Sequence, residues 1–219
     1  AIIAAPTKPQ DRTHSMAHEV HRQTPDAHHT APSEAGPGYS RGPDAGRALT
    51  FAAAVPVGAW HDHLPRTLAS LARQSEPLEI ALLDASGDPR VAEAADASGL
   101  SFAYRRHGQD FGQADAIAEG WAHTRSDILF WLNADDQLET GALARVSQEF
   151  SARTAADVIY GRSSFIDADG ERIGAHDQIA DVSPLLFRSN LISQPSCFAR
   201  RSAVQEVGGL NTNLHYVMD

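Results

Sequence analysis

Between residues 49 and 132 the chain alternates short apolar runs with stretches of helical period, and few architectures accept that pattern. Residues 49–57 (LTFAAAVPV) are a continuous apolar run, suited to a strand covered on both faces. Residues 64–74 carry Leu64, Leu68 and Leu71 at helical spacing, with Pro65 tolerated in a first turn. Residues 78–83 read as a second strand, closed by Asp84-Ala85-Ser86-Gly87-Asp88-Pro89, a strong turn sequence. Residues 91–97 predict a short helix, 100–104 a third strand, 114–123 a helix and 127–132 (DILFWL) a fourth strand. Strands alternating with helices specify a parallel sheet with right-handed crossovers. The expected fold class is therefore α/β, a mostly parallel central sheet flanked by helices. In such a sheet ligands sit at the carboxyl ends of the strands.

The second half has a different pattern. Residues 143–150 predict a helix and 157–160 a strand. Residues 163–166, the turn Asp167-Ala168-Asp169-Gly170 and residues 171–174 read as a small β-hairpin. Residues 182–188 suggest a short helix, 196–199 a strand, and 201–207 a short helix stopped by Gly208-Gly209.

Residues 1–46 lack this periodicity and are rich in Pro, His, Ala, Ser and Gly. Such a segment cannot bury enough apolar surface to offset its ordering entropy. We expect a low-complexity, disordered tail over 1–46 and a folded domain over 47–219. His14, His18 and His21 fall on one face of a helical stretch of the tail and could ligate zinc, but a solvated tail is the expected reading. The tail holds five acids and four bases, so −9 of the net charge of −10 belongs to the domain. An acidic domain argues against a nucleic-acid binder. The single cysteine, Cys197, cannot form an internal disulfide and points to a reducing compartment. Its place in a short apolar run predicts a small core residue. No apolar run is long enough to span a membrane.

Two places at predicted strand ends carry acids: Asp84, and Asn133-Ala134-Asp135-Asp136 directly after Trp131-Leu132. Adjacent carboxylates repel unless a cation joins them. Oxygen-only ligands select a hard cation such as Mg²⁺ or Mn²⁺, which is usually completed by water and substrate phosphates. The competing reading is an ordinary turn followed by a helix start.

The ordered set of motifs is more specific than any one of them. Pro56 ends the first strand, followed by Leu64-Pro65-Arg66-Thr67-Leu68-Ala69-Ser70-Leu71, then Asp84 with Ser86-Gly87-Asp88, and Gly112-Gln113-Ala114-Asp115-Ala116-Ile117. Asn133-Ala134-Asp135-Asp136, Asp157-Val158-Ile159-Tyr160-Gly161 and Ile166-Asp167-Ala168-Asp169-Gly170 come next. Gln194-Pro195-Ser196, Val207-Gly208-Gly209-Leu210 and Leu214-His215-Tyr216-Val217-Met218-Asp219 close the series. Together these resemble the family 2 glycosyltransferases, which have the GT-A fold, from about Leu49 to Asp219.

The resemblance implies an inverting transfer of a sugar from a nucleotide-diphosphate sugar donor to an acceptor hydroxyl, in bacterial polysaccharide or glycoconjugate synthesis. It implies that Asp84 binds the nucleotide base and that the chain at Pro56 and Val57 lines it. Gln113 and Asp115 fall in the nucleotide-sugar site. Asp135 and Asp136 match the metal motif, with Asp135 also on the nucleotide, and the cofactor would be Mn²⁺ or Mg²⁺. Asp219 matches the general base, and Gln194 and His215 fall on the acceptor side. The implied acceptor is a glycan or lipid-linked saccharide. The implied location is cytoplasmic, extending to peripheral association with the inner face of the plasma membrane. Family members usually continue past this point, so we expect the domain to be cut short at its C-terminus. The first strand departs from the family in reading Pro56-Val57-Gly58-Ala59-Trp60-His61-Asp62-His63. Two alternatives stay open: an inactive nucleotide-sugar binding module, and a nucleotidyltransferase of similar α/β architecture. No glycine-rich phosphate loop precedes the first helix to favour the latter.

Among the remaining polar residues, Asp62 is expected to cap the first helix. Arg105-Arg106 is expected to be a solvated charge pair.

Overall fold

The computed structural model describes residues 2–4, 47–176 and 191–213. The described residues belong to one compact unit. Its elements are β1 (Ile2–Ala4), β2 (Phe51–Val57), α1 (Leu64–Ala72), β3 (Leu78–Asp84), α2 (Pro89–Ala97), β4 (Tyr104–His107) and α3 (Gln113–Ala122). After these come β5 (Ile128–Trp131), β6 (Asp136–Leu138), α4 (Ala142–Ala152), β7 (Val158–Tyr160), β8 (Ser163–Ile166), β9 (Arg172–Ala175), β10 (Cys197–Arg200) and α5 (Arg201–Glu206). A single 3₁₀ turn covers Gln194–Ser196.

The central sheet runs β4-β3-β2-β5-β10-β7. Its first four strands are parallel, and β10 lies antiparallel to both β5 and β7. The mostly parallel α/β sheet is the expected one. β2 is its centre because its two faces are both apolar. Phe51, Ala53 and Val55 pack with Leu64, Leu68 and Leu71 of α1. Ala52 and Ala54 face Ala81, Leu83, Ile117 and Trp121 on the other side. That second face is built of small residues so that α3 can approach closely. A Cβ on Gly120 would lie 2.9 Å from Leu83 Cδ2, 3.1 Å from the Ala81 Cβ and 3.2 Å from the Ala54 Cβ.

A second sheet runs β6-β1-β8-β9, and β8–β9 is the expected hairpin. Here the structure differs from the sequence reading at two places. The stretch after Asn133 leads into a strand, β6, rather than directly into a helix. Three residues of the expected tail, Ile2–Ala4, also form a strand. They pair antiparallel with β6 and parallel with β8, Ala4 opposite Asp136 and Phe165. Both strands offer unpaired backbone groups along one edge, and Ile-Ile-Ala is a β-favouring sequence that can satisfy them. The rest of the tail, with His14, His18 and His21, lies outside the described residues, as does the helix expected over 182–188.

The third strand is β4, four residues later than expected. Its alternating half-buried and exposed pattern, YRRH, reflects where the arginines go. The Arg106 guanidinium is only 13% exposed and lies 2.9 Å from Asp110 Oδ2 and 2.8 Å from Glu119 Oε2. It also donates to the Gly108 carbonyl. The solvated pair expected at Arg105-Arg106 is thus half wrong. Arg105 pairs at the surface with Asp96, whereas Arg106 is built into the loop that leads to α3. Cys197 is half-buried in β10, where burial pushes its thiol up to about 11.

Candidate functional site

The acids and amides singled out by the sequence sit where the parallel strands end. α1 holds the stretch after β5 in place. Buried Thr67 donates its hydroxyl to the Ala134 carbonyl at 2.9 Å, and the Leu138 N–H donates to Ser70 Oγ at 3.1 Å. These bonds explain two hydroxyls buried in the core face of a helix, and they fix the chain on both sides of Asp135-Asp136.

Asn133 is the hub. Its Oδ1 accepts from Gln113 Nε2 at 2.7 Å. Its Nδ2 donates to Asp136 Oδ2 at 3.2 Å and to Gln194 Oε1 at 3.1 Å. Gln194 in turn donates its amide to the Trp131 carbonyl at 2.8 Å. One side chain therefore ties together the start of α3, the end of β5, the start of β6 and the 3₁₀ turn.

Asp136 is 5% exposed, and its pKa is pushed up to about 7 by burial and by neighbouring Asp135, against the Asn133 hydrogen bond that lowers it. Asp135 is 21% exposed at its side chain, and His61 Nε2 lies 3.9 Å from its Oδ2. No arginine or lysine pairs with either acid among the described residues. A buried carboxylate beside a second one, without an arginine or lysine partner among the described residues, is a donor set that a hard divalent cation would relieve. Among the described residues no three His, Cys, Asp or Glu side chains are spaced to hold an ion alone.

Asp84 closes β3 and is buried. Its Oδ1 accepts from the Ser86 N–H at 2.9 Å and the Ser86 hydroxyl at 2.6 Å, and its Oδ2 lies 2.8 Å from His107 Nδ1. Val57 is directly opposite Asp84 in β2, and its carbonyl accepts from the Ala85 N–H at 2.9 Å. Pro56 stands one residue before it, opposite Leu83.

Asp115 lies in the first turn of α3, where a carboxylate favours the helix dipole. Its Oδ2 accepts from the Phe111 N–H at 3.4 Å. Gly112 opens α3 at φ 122°, a conformation that L side chains avoid, while its N–H donates to Asp110 Oδ1 at 3.0 Å.

The structure thus joins Gln113, Asp136 and Gln194 through Asn133, and Asp135 is next in sequence to Asp136. Pro56, Val57 and Asp84 cluster at the adjoining strand ends, with Asp115 one turn into α3. Asp219 and His215 lie outside the described residues. Sequence reasoning missed His107, because its signal is register: it is the β4 residue opposite Asp84. His61, which with Asp62 and His63 could ligate a metal or touch phosphate as well as start a helix, lies beside Asp135. The expected Asp62 cap is also corrected. His63 occupies the cap position without a side-chain bond, and Asp62 instead accepts from the Trp60 indole at 2.7 Å. A cavity of about 530 Å³ between α4 and β7 shares none of these residues.

The mostly parallel sheet with acids and amides at its strand ends is joined by a second small sheet, whose strand β6 begins at Asp136. Solved glycosyltransferases of the GT-A fold share this architecture. TarS of S. aureus, residues 1–349, superposes at a TM-score of 0.58 with 13% identity, over 78% of this chain and 52% of that one. The mannosyltransferase PcManGT of Pyrobaculum calidifontis, solved with GDP-Man and Mn²⁺, gives 0.56 with 13% identity, over 77% and 49%. TarS with UDP-GlcNAc gives 0.51 with 14% identity, over 73% and 47%.

The chain belongs to glycosyl transferase family 2, whose model matches residues 60–208. It is 35% identical over 97 residues to the O-antigen biosynthesis protein RfbC of Myxococcus xanthus, a stretch that is 44% of this chain and 8% of that protein. The chain therefore spans about half the length of these solved structures and a small part of RfbC. No described helix is long and apolar enough to cross a membrane.

Proposed function

We propose that the protein is a metal-dependent inverting glycosyltransferase that moves a sugar from a nucleotide-diphosphate sugar to an acceptor hydroxyl. The carrying observation is the Asn133 hub, which brings Gln113, Asp136 and Gln194 together beside Asp135. The site lies at the carboxyl end of β5, where such sheets bind nucleotides.

Asp135 and Asp136 would hold Mn²⁺ or Mg²⁺, which when bound offsets the charge developing on the diphosphate leaving group. Asp84, Val57 and Pro56 form the base side of the donor site, and Gln113 and Asp115 flank the nucleoside. Gln194 and His215 serve the acceptor side. Asp219 takes the proton of the acceptor hydroxyl as its oxygen bonds to the anomeric carbon. The bond from that carbon to the diphosphate breaks, and its electron pair leaves with the nucleotide. A single displacement of this kind needs one base and no enzyme nucleophile.

The solved relatives bear on the donor. One was solved with GDP-Man and Mn²⁺ and another with UDP-GlcNAc. The likeness to an O-antigen biosynthesis protein supports a glycan or lipid-linked saccharide as acceptor. It also supports a role in surface polysaccharide synthesis, which we place in the cytoplasm and at the inner face of the plasma membrane.

The test is release of nucleoside diphosphate from a panel of UDP-, GDP- and dTDP-sugars with Mn²⁺ and oligosaccharide acceptors. Turnover that is lost in Asp219→Asn and in Asp135→Ala is expected. Full turnover in either variant overturns the corresponding role.

A further inference from the structure

We infer that His107, oriented by Asp84, is the group that reads the nucleobase, and that it selects bases presenting a ring N–H. The inference rests on the donor site proposed above and deepens it.

Three of the roughly four lone-pair positions of a carboxylate are already used at Asp84. Ser86 supplies two donors to Oδ1, and His107 Nδ1 meets Oδ2 at 2.8 Å. The Asp84 side chain is only 6% exposed, whereas that of His107 is 69% exposed. A base arriving at this strand end therefore meets the imidazole far more readily than the carboxylate. The imidazole is also well fixed. Asp84 and His107 are register partners in the parallel β3–β4 pair, and the Gly108 N–H donates to the Asp84 carbonyl at 2.9 Å. The Arg106 ion pairs hold the following loop.

The bond to Asp84 decides the chemistry that His107 presents. In the neutral tautomer that donates its Nδ1–H to the Asp84 carboxylate, Nε2 is left as an acceptor. Nε2 has no partner among the described residues. An outward acceptor backed by a buried carboxylate pairs with the ring N–H of uracil, thymine or guanine. At that same ring position cytosine and adenine present a bare nitrogen, lone pair against lone pair, and reach the acceptor only by shifting to offer their exocyclic amine. Asp84 thus acts on the base through His107.

The experiment is calorimetric titration with UDP, GDP, CDP and ADP in Mn²⁺, on the wild type and on His107→Asn. Asparagine can keep a donor near the Nδ1 position, and with it the brace on Asp84, but lacks the outward acceptor. The wild type should bind UDP or GDP about tenfold more tightly than CDP and ADP, the worth of one hydrogen bond. His107→Asn should melt as the wild type does and lose that preference, with CDP and ADP affinities unchanged.

A variant that keeps the preference shows that His107 only braces Asp84 and overturns the inference alone. A wild type without base preference does the same. A wild type that binds none of the four overturns both this inference and the donor-site reading. As a second measurement, the ¹⁵N resonance of His107 Nε2 should move on adding UDP or GDP and stay put with CDP. An unmoved resonance with all of them also overturns it.

Discussion

Replacing Asp136 by asparagine should make the cation-free protein more stable, and the gain should shrink as the pH falls. Asp136 is buried beside Asp135, which lifts its pKa from an ordinary 3.8 to about 7. The folded state therefore holds this proton more tightly than the unfolded chain does. Stability is highest when the group is protonated in both states, and it falls as pH rises from about 4 to about 7. Each unit of difference is worth about 1.4 kcal/mol. Ionisation then costs roughly 4 kcal/mol at pH 8 and roughly 2 kcal/mol at pH 5. Asparagine keeps an oxygen to accept from Asn133 and carries no charge. In EDTA, Asp136→Asn should melt about 10 °C above the wild type at pH 8, with about half that gap at pH 5. The assay is thermal unfolding by circular dichroism at both pH values. A gap independent of pH, or a variant less stable than the wild type at pH 8, would refute the electrostatic reasoning.

Three further outcomes follow from the geometry. Gly120→Ala gains about 1 kcal/mol of helix propensity but drives a methyl against Ala54 and Ala81, whose Cβ atoms are rooted in strands. Overpacking of that kind costs about 1–3 kcal/mol, so urea denaturation should show a net loss of about 1 kcal/mol. Asn133→Ala removes the three bonds of the hub. Titration with a Mn²⁺-nucleoside diphosphate should show about tenfold weaker binding, the value of one or two such bonds, and the melting temperature should fall by a few degrees because buried Asp136 and Gln194 lose that partner. Arg106→Gln leaves Asp110 and Glu119 without their shared cation. It should cost about 3 kcal/mol in unfolding measurements and speed amide exchange over residues 108–112.

Much of the fold was legible because the parallel strands are covered on both faces and so read as unbroken apolar runs. β2, β3 and β5 announce themselves in this way. β4 does not, since its arginines are neutralised by acids from α2, from α3 and from the loop before α3, contacts invisible to a local pattern. β6 is only three residues long and owes its form to pairing with a strand more than 130 positions away in sequence. The carboxylates and amides of the candidate site were legible from motif order. Their connection through Asn133, and the partnership of Asp84 with His107, were not. Both depend on which strand ends lie side by side, and that is set by sheet order and register rather than by spacing along the chain.

The central claim is a cation-dependent nucleotide site at Asp135 and Asp136. Its most direct test is calorimetric titration of the protein with a nucleoside diphosphate in Mn²⁺ and in EDTA, repeated with the Asp135→Asn, Asp136→Asn double variant. Mn²⁺ should tighten binding at least about tenfold in the wild type, one charge-assisted contact or more, and should leave the double variant unaffected. Equal affinity in Mn²⁺ and EDTA for the wild type, or the same Mn²⁺ enhancement in the double variant, would contradict the account.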